Sequence, residues 1–431
     1  MRVLTLVACG VAFVASVAEA GEVGRFRPAT PDYVVLKVPA SASNDPIARL
    51  ERQRARDTGD EALAAELAQL YLTRARTERE QRYFARAEAL VRPWASRQDA
   101  HAATLRVQAD ILQNRHDFSS AVTLLDRAIA LDPRDASARL MRASVKMVNG
   151  QATDARADCA GVLAAGESMA GTICLAQVIG ATGGLARADA LLKTLVSRDE
   201  LALAAGPSAQ PAATSLPGAQ ASAGAPPVAP PAAGASAPTS LRGAPLAAAN
   251  SVRAWALWLL ADFADRAGDA RSAEMQLRAA LEASPQHEGI RSALSDLLLS
   301  RGAYREALNL VDLPTPSIGL LARRARAQQL LRDPALGDTR SQIDDLVTLA
   351  SRRGDPPHLR EEALIALDVD HDAARALDLA KANFDTQRET IDIRLLVRAA
   401  TACGDSAVLR TVSQWIRQTG YEDSQLRGAS T

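Results

Sequence analysis

Apolar residues recur at four- and three-residue intervals, in paired short stretches, along most of this chain. In residues 102–133, AATLRVQADILQNRHDFSSAVTLLDRAIALDP, Leu105, Ala109 and Leu112 form one stripe, and Ala121, Leu125 and Ala128 form the next. That spacing puts each set on one helix face, and Pro133 stands where a helix cannot continue. The segment predicts two amphipathic helices joined by a short turn. Residues 254–285 repeat the pattern through Leu257, Ala261, Gly268, Ala273, Leu277, Ala280 and Pro285.

Alanines twelve residues apart mark the units: Ala109 and Ala121, Ala143 and Ala155, Ala176 and Ala188, then Ala261 and Ala273. The first three pairs follow one another at about 34 residues, a period that signals a helical repeat array. Weaker copies place Leu67, Ala68, Tyr71, Phe84, Ala87 and Pro93 upstream, and Leu294, Leu298, Gly302, Tyr304 and Ala307 downstream. From Ser317 to Gly420 the helix-turn-helix rhythm persists but the register is lost, so the pairing around Ala376 and from Leu395 to Trp415 stays open.

Small residues at the closest helix contact, a large residue further along each helix and a terminal Pro make this pattern resemble the tetratricopeptide repeat. The resemblance covers most of residues 45–420. It implies an all-α solenoid of stacked antiparallel helix pairs that binds other proteins through the first helix of each pair. One face of that helix lies six and three residues before the small alanine and one and four after it. In the clearest unit this face includes Arg106, Asp110 and Gln113, and in the unit from residue 254 it is Trp255, Trp258, Asp262 and Asp265. The Trp pair, one turn apart and followed by acids, is the leading partner-binding candidate, because Trp is enriched at binding hot spots. The alternative is that both tryptophans cap the start of a second array and are buried.

The organisation along the chain adds a compartment. Residues 1–20 read as a secretory signal peptide, with an apolar run from Val3 to Val17 and a small-x-small ending at Ala18-Glu19-Ala20. Leu6-Val7-Ala8-Cys9 also resembles a lipoprotein processing box, but the apolar run continues well past Cys9. Residues 21–44 carry no helical period and are expected to be extended. A first array is expected over 45–203, a disordered linker rich in Ala, Pro, Ser and Gly over 204–249, a second array over 250–422 and a flexible tail over 423–431. The linker joins either two arrays or one array with a looped-out connection. An exported chain would be periplasmic or secreted, without stable membrane insertion after cleavage.

Three cysteines remain after such a cleavage. Cys159 and Cys174 lie nearly equidistant from the turn at Ala165 to Glu167, so on antiparallel helices they would sit at one height, and a disulfide is expected. The alternative is two small buried hydrophobes. Cys403 is expected to be buried just before the Gly404-Asp405 turn.

The 50 basic and 50 acidic residues cancel and are interleaved, so there is no basic stripe for nucleic acid. Sparse aromatics, 3% of the chain, leave no base-stacking platform. The histidines, His101, His116, His287, His358 and His371, lack helical metal-pair spacing. His116 fits a left-handed turn position. Asp368-Val369-Asp370-His371-Asp372 has ligand-type density, but Ala373 and Leu379 stand where a calcium loop needs Gly and Glu, so it reads as an inter-helix turn. There is no phosphate loop and no nucleophile elbow. No catalytic, cofactor or metal residue is assigned. The expected function is a non-enzymatic scaffold that holds a protein partner in the cell envelope, with an accessory role in envelope or polysaccharide assembly as the alternative.

Overall fold

The computed structural model describes residues 45–78, 81–205, 244–314 and 316–430. The expected signal peptide, the extended segment over 21–44 and most of the expected linker lie outside them. Residues 45–49 open helix α1 (Pro46–Arg56), where the Asp45 carboxylate accepts from the Ile47 amide. The described residues from Leu50 onward form one compact unit.

Nine antiparallel helix pairs follow α1 among the described residues. They are α2 (Glu61–Glu78) with α3 (Gln81–Val91), α4 (Ala102–Asn114) with α5 (Phe118–Leu131), α6 (Ala136–Val148) with α7 (Ala152–Ala164), and α8 (Ser168–Ala181) with α9 (Leu185–Ala205). Next come α10 (Ala244–Ala267) with α11 (Ala270–Ala283), α12 (Glu288–Ser300) with α13 (Tyr304–Val311), and α14 (Ile318–Leu331) with α15 (Leu336–Arg353). The last two pairs are α16 (Leu359–Asp368) with α17 (Ala373–Thr386) and α18 (Thr390–Cys403) with α19 (Ser406–Thr419), followed by a 3-10 segment, Ser424–Ser430. Helices α9 and α10 reach inside the expected linker at both ends, because alanine, the best helix former, dominates there.

All eight alanines of the twelve-residue pairs are at most 2% exposed. Each lets two helix backbones approach closely, and the larger apolar side chains fill the space between repeats. Ile173, Leu192, Leu257, Leu260, Phe263, Leu277, Ile290, Leu294 and Leu298 belong to one apolar cluster running from α8 to α14. Other clusters carry the core from α14 to α16 and from α16 to the C-terminal 3-10 segment. From α4 onward the turn inside each pair holds a left-handed residue. Gly150, Gly183, Gly268 and Gly302 supply it, and His116 and His371, each at φ 57°, occupy the same place.

The register lost after Ser317 has a physical cause. Helix α15 has 18 residues where α5, α11, α17 and α19 have 14, which stretches the distance to the next repeat. The twelve-residue spacing persists as Ala327 with Thr339, Leu364 with Ala376 and Ala400 with Val412, no longer alanine at both places. A second departure is Cys403, which is exposed rather than buried. It lies in the last turn of α18.

Gly180 marks the tightest approach of α8 to α10: a Cβ there would lie 2.7 Å from the buried Phe263 ring. Gly→Ala in an exposed helix gains about 1 kcal/mol of propensity. At Gly180 the sign should reverse, with a net loss on the order of 1 kcal/mol, because overpacking a filled core costs about 1–3 kcal/mol. Urea denaturation of Gly180→Ala checks this, and a stabilised variant would contradict the contact.

Candidate functional site

The even-numbered helices, the first of each pair, form the inner surface of the solenoid. From α6 to α18 they curve around a cavity of about 1790 Å³. One side is apolar, with half-buried Leu140, Met141 and Met147 of α6 and Trp255 and Trp258 of α10. The other side, on α12 to α18, is charged.

On the charged side acids and arginines alternate from helix to helix. Asp296 of α12 accepts from Arg323 Nη2 at 2.7 Å and from Arg326 Nη1 at 2.6 Å, both on α14. Arg326 Nε lies 2.7 Å from Asp368 of α16, which is paired in turn with Arg398 of α18. Burial works to raise the Asp296 carboxyl, but the two guanidinium groups hold it below the ordinary carboxylate range. Deeper in the wall, Asp392 accepts from Arg360 Nε at 2.6 Å, Arg360 Nη2 at 2.7 Å and Asn383 Nδ2 at 2.7 Å. These ions neutralise one another, so the wall is polar and paired.

Four of the sequence-derived candidates face this cavity together, and Gln113 lines it as well. Trp258 meets the His287 ring edge-on at 5.2 Å, and Trp255 packs on the cluster formed by Ala143, Cys159, Cys174 and Val178. Asp262 accepts from the Thr390 hydroxyl at 2.7 Å, and Asp265 pairs with Arg394. Arg106 and Asp110 are engaged by neighbouring repeats instead. Arg106 donates to Asp135 at 2.5 Å, and Asp110, 5% exposed, pairs with Arg76 of α2. The predicted disulfide Cys159–Cys174 is formed, with Cα atoms 5.4 Å apart, and it ties α7 to α8 behind Trp255.

Sequence reasoning missed the arginines on α14, α16 and α18 because the register failed there. A usable signal was present, since Asp296 to Arg326 and Asp368 to Arg398 are each 30 residues apart, close to one repeat.

His116 and His287 both titrate below their ordinary value of 6.5. Burial is the main cause at each, and at His116 Arg360 and His358 add to it while Glu361 and Asp392 oppose it. A depressed histidine binds fewer protons folded than unfolded, so stability is level above about pH 7 and declines as pH falls through 6.5. The thermal midpoint should therefore drop between pH 7 and 5, and less so in His116→Asn. An unchanged midpoint across that window would contradict the burial of both rings.

No family model and no curated protein matches this sequence. Among solved structures, it is similar to the human IFIT1 dimer with PPP-AAAA, at 12% identity and TM-score 0.45, covering 86% of this chain and 77% of that one. It is also similar to a tetratricopeptide repeat protein from Parabacteroides merdae, at 11% identity and TM-score 0.36, covering 79% of this chain and 98% of that one. Yeast Tom70 is similar at 12% identity and TM-score 0.28, covering 85% of this chain and 86% of that one. The chain's own helix pairs, with buried alanines at their contacts, make it an all-α solenoid of stacked antiparallel helix pairs.

Proposed function

We propose that this protein is an exported, non-enzymatic scaffold that holds a segment of a protein partner inside its superhelical cavity. The observation that carries the reading is the cavity itself, with its Trp255 and Trp258 wall. At about 1790 Å³ it exceeds the roughly 300–1,000 Å³ usual for small-molecule sites. Half-buried tryptophans facing a cavity suit the anchoring role that Trp plays at interfaces. Asp262, Asp265 and Gln113 share the cavity lining with them. Export is supported by the signal-like residues 1–20, and a disulfide belongs in an oxidising compartment, which suits a periplasmic or secreted location.

A photo-reactive amino acid at Ser144, exposed on the cavity side of α6, tests the reading beside one at Ala157, exposed on α7. Ser144 should cross-link one protein from the native envelope fraction, and Ala157 should not. Loss of a hot-spot aromatic costs about 2 kcal/mol or more, so Trp255→Ala with Trp258→Ala should weaken that partner about 30-fold or more while retaining helical content. The same adducts from both positions, or none from Ser144, would overturn the proposal.

A further inference from the structure

The solenoid curves until its end meets its middle. Gln387 and Arg388, between α17 and α18, reach the turns of earlier repeats. The Arg388 amide donates to Val148 O at 2.8 Å, its guanidinium donates to Asn149 O at 3.3 Å, and Gln387 Nε2 donates to His116 Nδ1 at 2.9 Å. Further along, Thr390 bonds Asp262, Arg394 pairs with Asp265, and Arg266 of α10 donates to Glu422 O at 2.9 Å. Glu422 also accepts from the Leu185 amide at 3.0 Å, and the backbones of Gly183 and Gly420 touch.

This closing seam differs in kind from the others. An unbroken series of apolar clusters links α6 to α8, α8 to α14, α14 to α16, and α16 to the C-terminal 3-10 segment. Among the described residues no apolar cluster crosses the seam, which is held by hydrogen bonds to backbone carbonyls and to the Asp262 and Glu422 carboxylates, the Arg394–Asp265 ion pair and the stacking of Arg266 on Tyr421 at 4.1 Å. Apolar burial is insensitive to ionic strength at this level, whereas ion pairs between partly exposed groups are screened by salt. The two kinds of seam should therefore part under different conditions.

We propose that this polar seam is a latch: the ring opens there, ahead of any seam between consecutive repeats, and so gives a polypeptide lateral access to the cavity. The opening itself does not depend on which occupant the cavity takes.

The test is a distance measurement by pulsed electron resonance on the full chain with Cys9→Ser and Cys403→Ser, so that only introduced cysteines carry spin labels. One pair, Ala157→Cys on α7 with Gln414→Cys on α19, spans the latch. A control pair, Arg271→Cys on α11 with Lys381→Cys on α17, spans only apolar seams. Raising salt from 0.15 M to 1 M, which cuts the screening length from about 8 Å to about 3 Å, should lengthen and broaden the latch distance. The expected shift is on the order of one helix diameter, about 10 Å, with the control distance unchanged. Asp265→Asn with Thr390→Val removes latch contacts while leaving Arg394 its second partner, Asp423, and should produce the same opening at 0.15 M salt. If both pairs shift together, the solenoid flexes throughout and the latch is refuted. If neither shifts, the ring is rigid and the proposal also fails. Should the double variant lose helical content, the salt series on the otherwise unaltered chain decides.

Discussion

Asp392→Ala should lower the unfolding free energy by about 3–5 kcal/mol, the usual cost of removing one partner from a buried ion pair. Asp392 is 1% exposed and serves four donors: Arg360 twice, Asn383, and the Glu389 amide at 3.0 Å, where it closes the capping box of α18. Alanine strands all of them. Arg360 suffers most, because burial opposes its charge and only the adjacent carboxylates, Asp392 foremost and Glu389 next, keep its guanidinium well above its ordinary range. It would keep only Glu389, on the rim of the same group, and the Gln387 side-chain oxygen at 2.9 Å. Asp392→Asn preserves much of the shape and should cost less than alanine. Urea denaturation followed by circular dichroism measures both, and an alanine variant within about 1 kcal/mol of the parent would show that the network is not closed as described.

Removing the Cys159–Cys174 disulfide should cost about 3 kcal/mol, the chain-entropy value for a loop of some 15 residues. The bond joins two successive repeats behind the Trp255 wall, in the α6 to α8 part of the cavity. Both cysteines are buried, at 0% and 3% exposure, so a reductant added to the folded protein should act slowly and on opened molecules. Cys159→Ala with Cys174→Ala, unfolded in urea beside the parent, gives the equilibrium difference. A parent refolded under reducing conditions should match the double variant. Equal midpoints for oxidised and reduced parent would contradict the expected stabilisation.

The alanine pairs at 109 and 121, 143 and 155, 176 and 188, and 261 and 273 carried the fold in the sequence because each contact needs a small residue on both helices. That logic is local and survives without any knowledge of the whole. It failed after Ser317, where Thr339, Leu364 and Val412 replace one alanine of each pair and the longer α15 stretches the period. The inner-face rule placed Trp255, Trp258, Asp262 and Asp265 on the cavity, but it could not see that Arg106 and Asp110 face neighbouring first helices, which pair with them. Ring closure was not legible at all. It is the sum of small rotations over successive pairs, and no single residue encodes it. Once the contacts are known, Gln387, Arg388 and Glu422 become recognisable as residues that serve distant repeats.

Closure also fixes the number of repeats. An open helical array lengthens or shortens by whole units with little effect on those that remain, because each unit touches only its neighbours. Here Tyr421 must arrive at Arg266, Gly420 at Gly183, and Arg388 at the turn after α6. Losing or duplicating one helix pair between α6 and α18 would rotate the end of the chain past all three meeting points at once. Gene-level changes that most solenoids absorb would open this ring permanently, so its length is under a constraint that acts on the count of units and not on any one side chain.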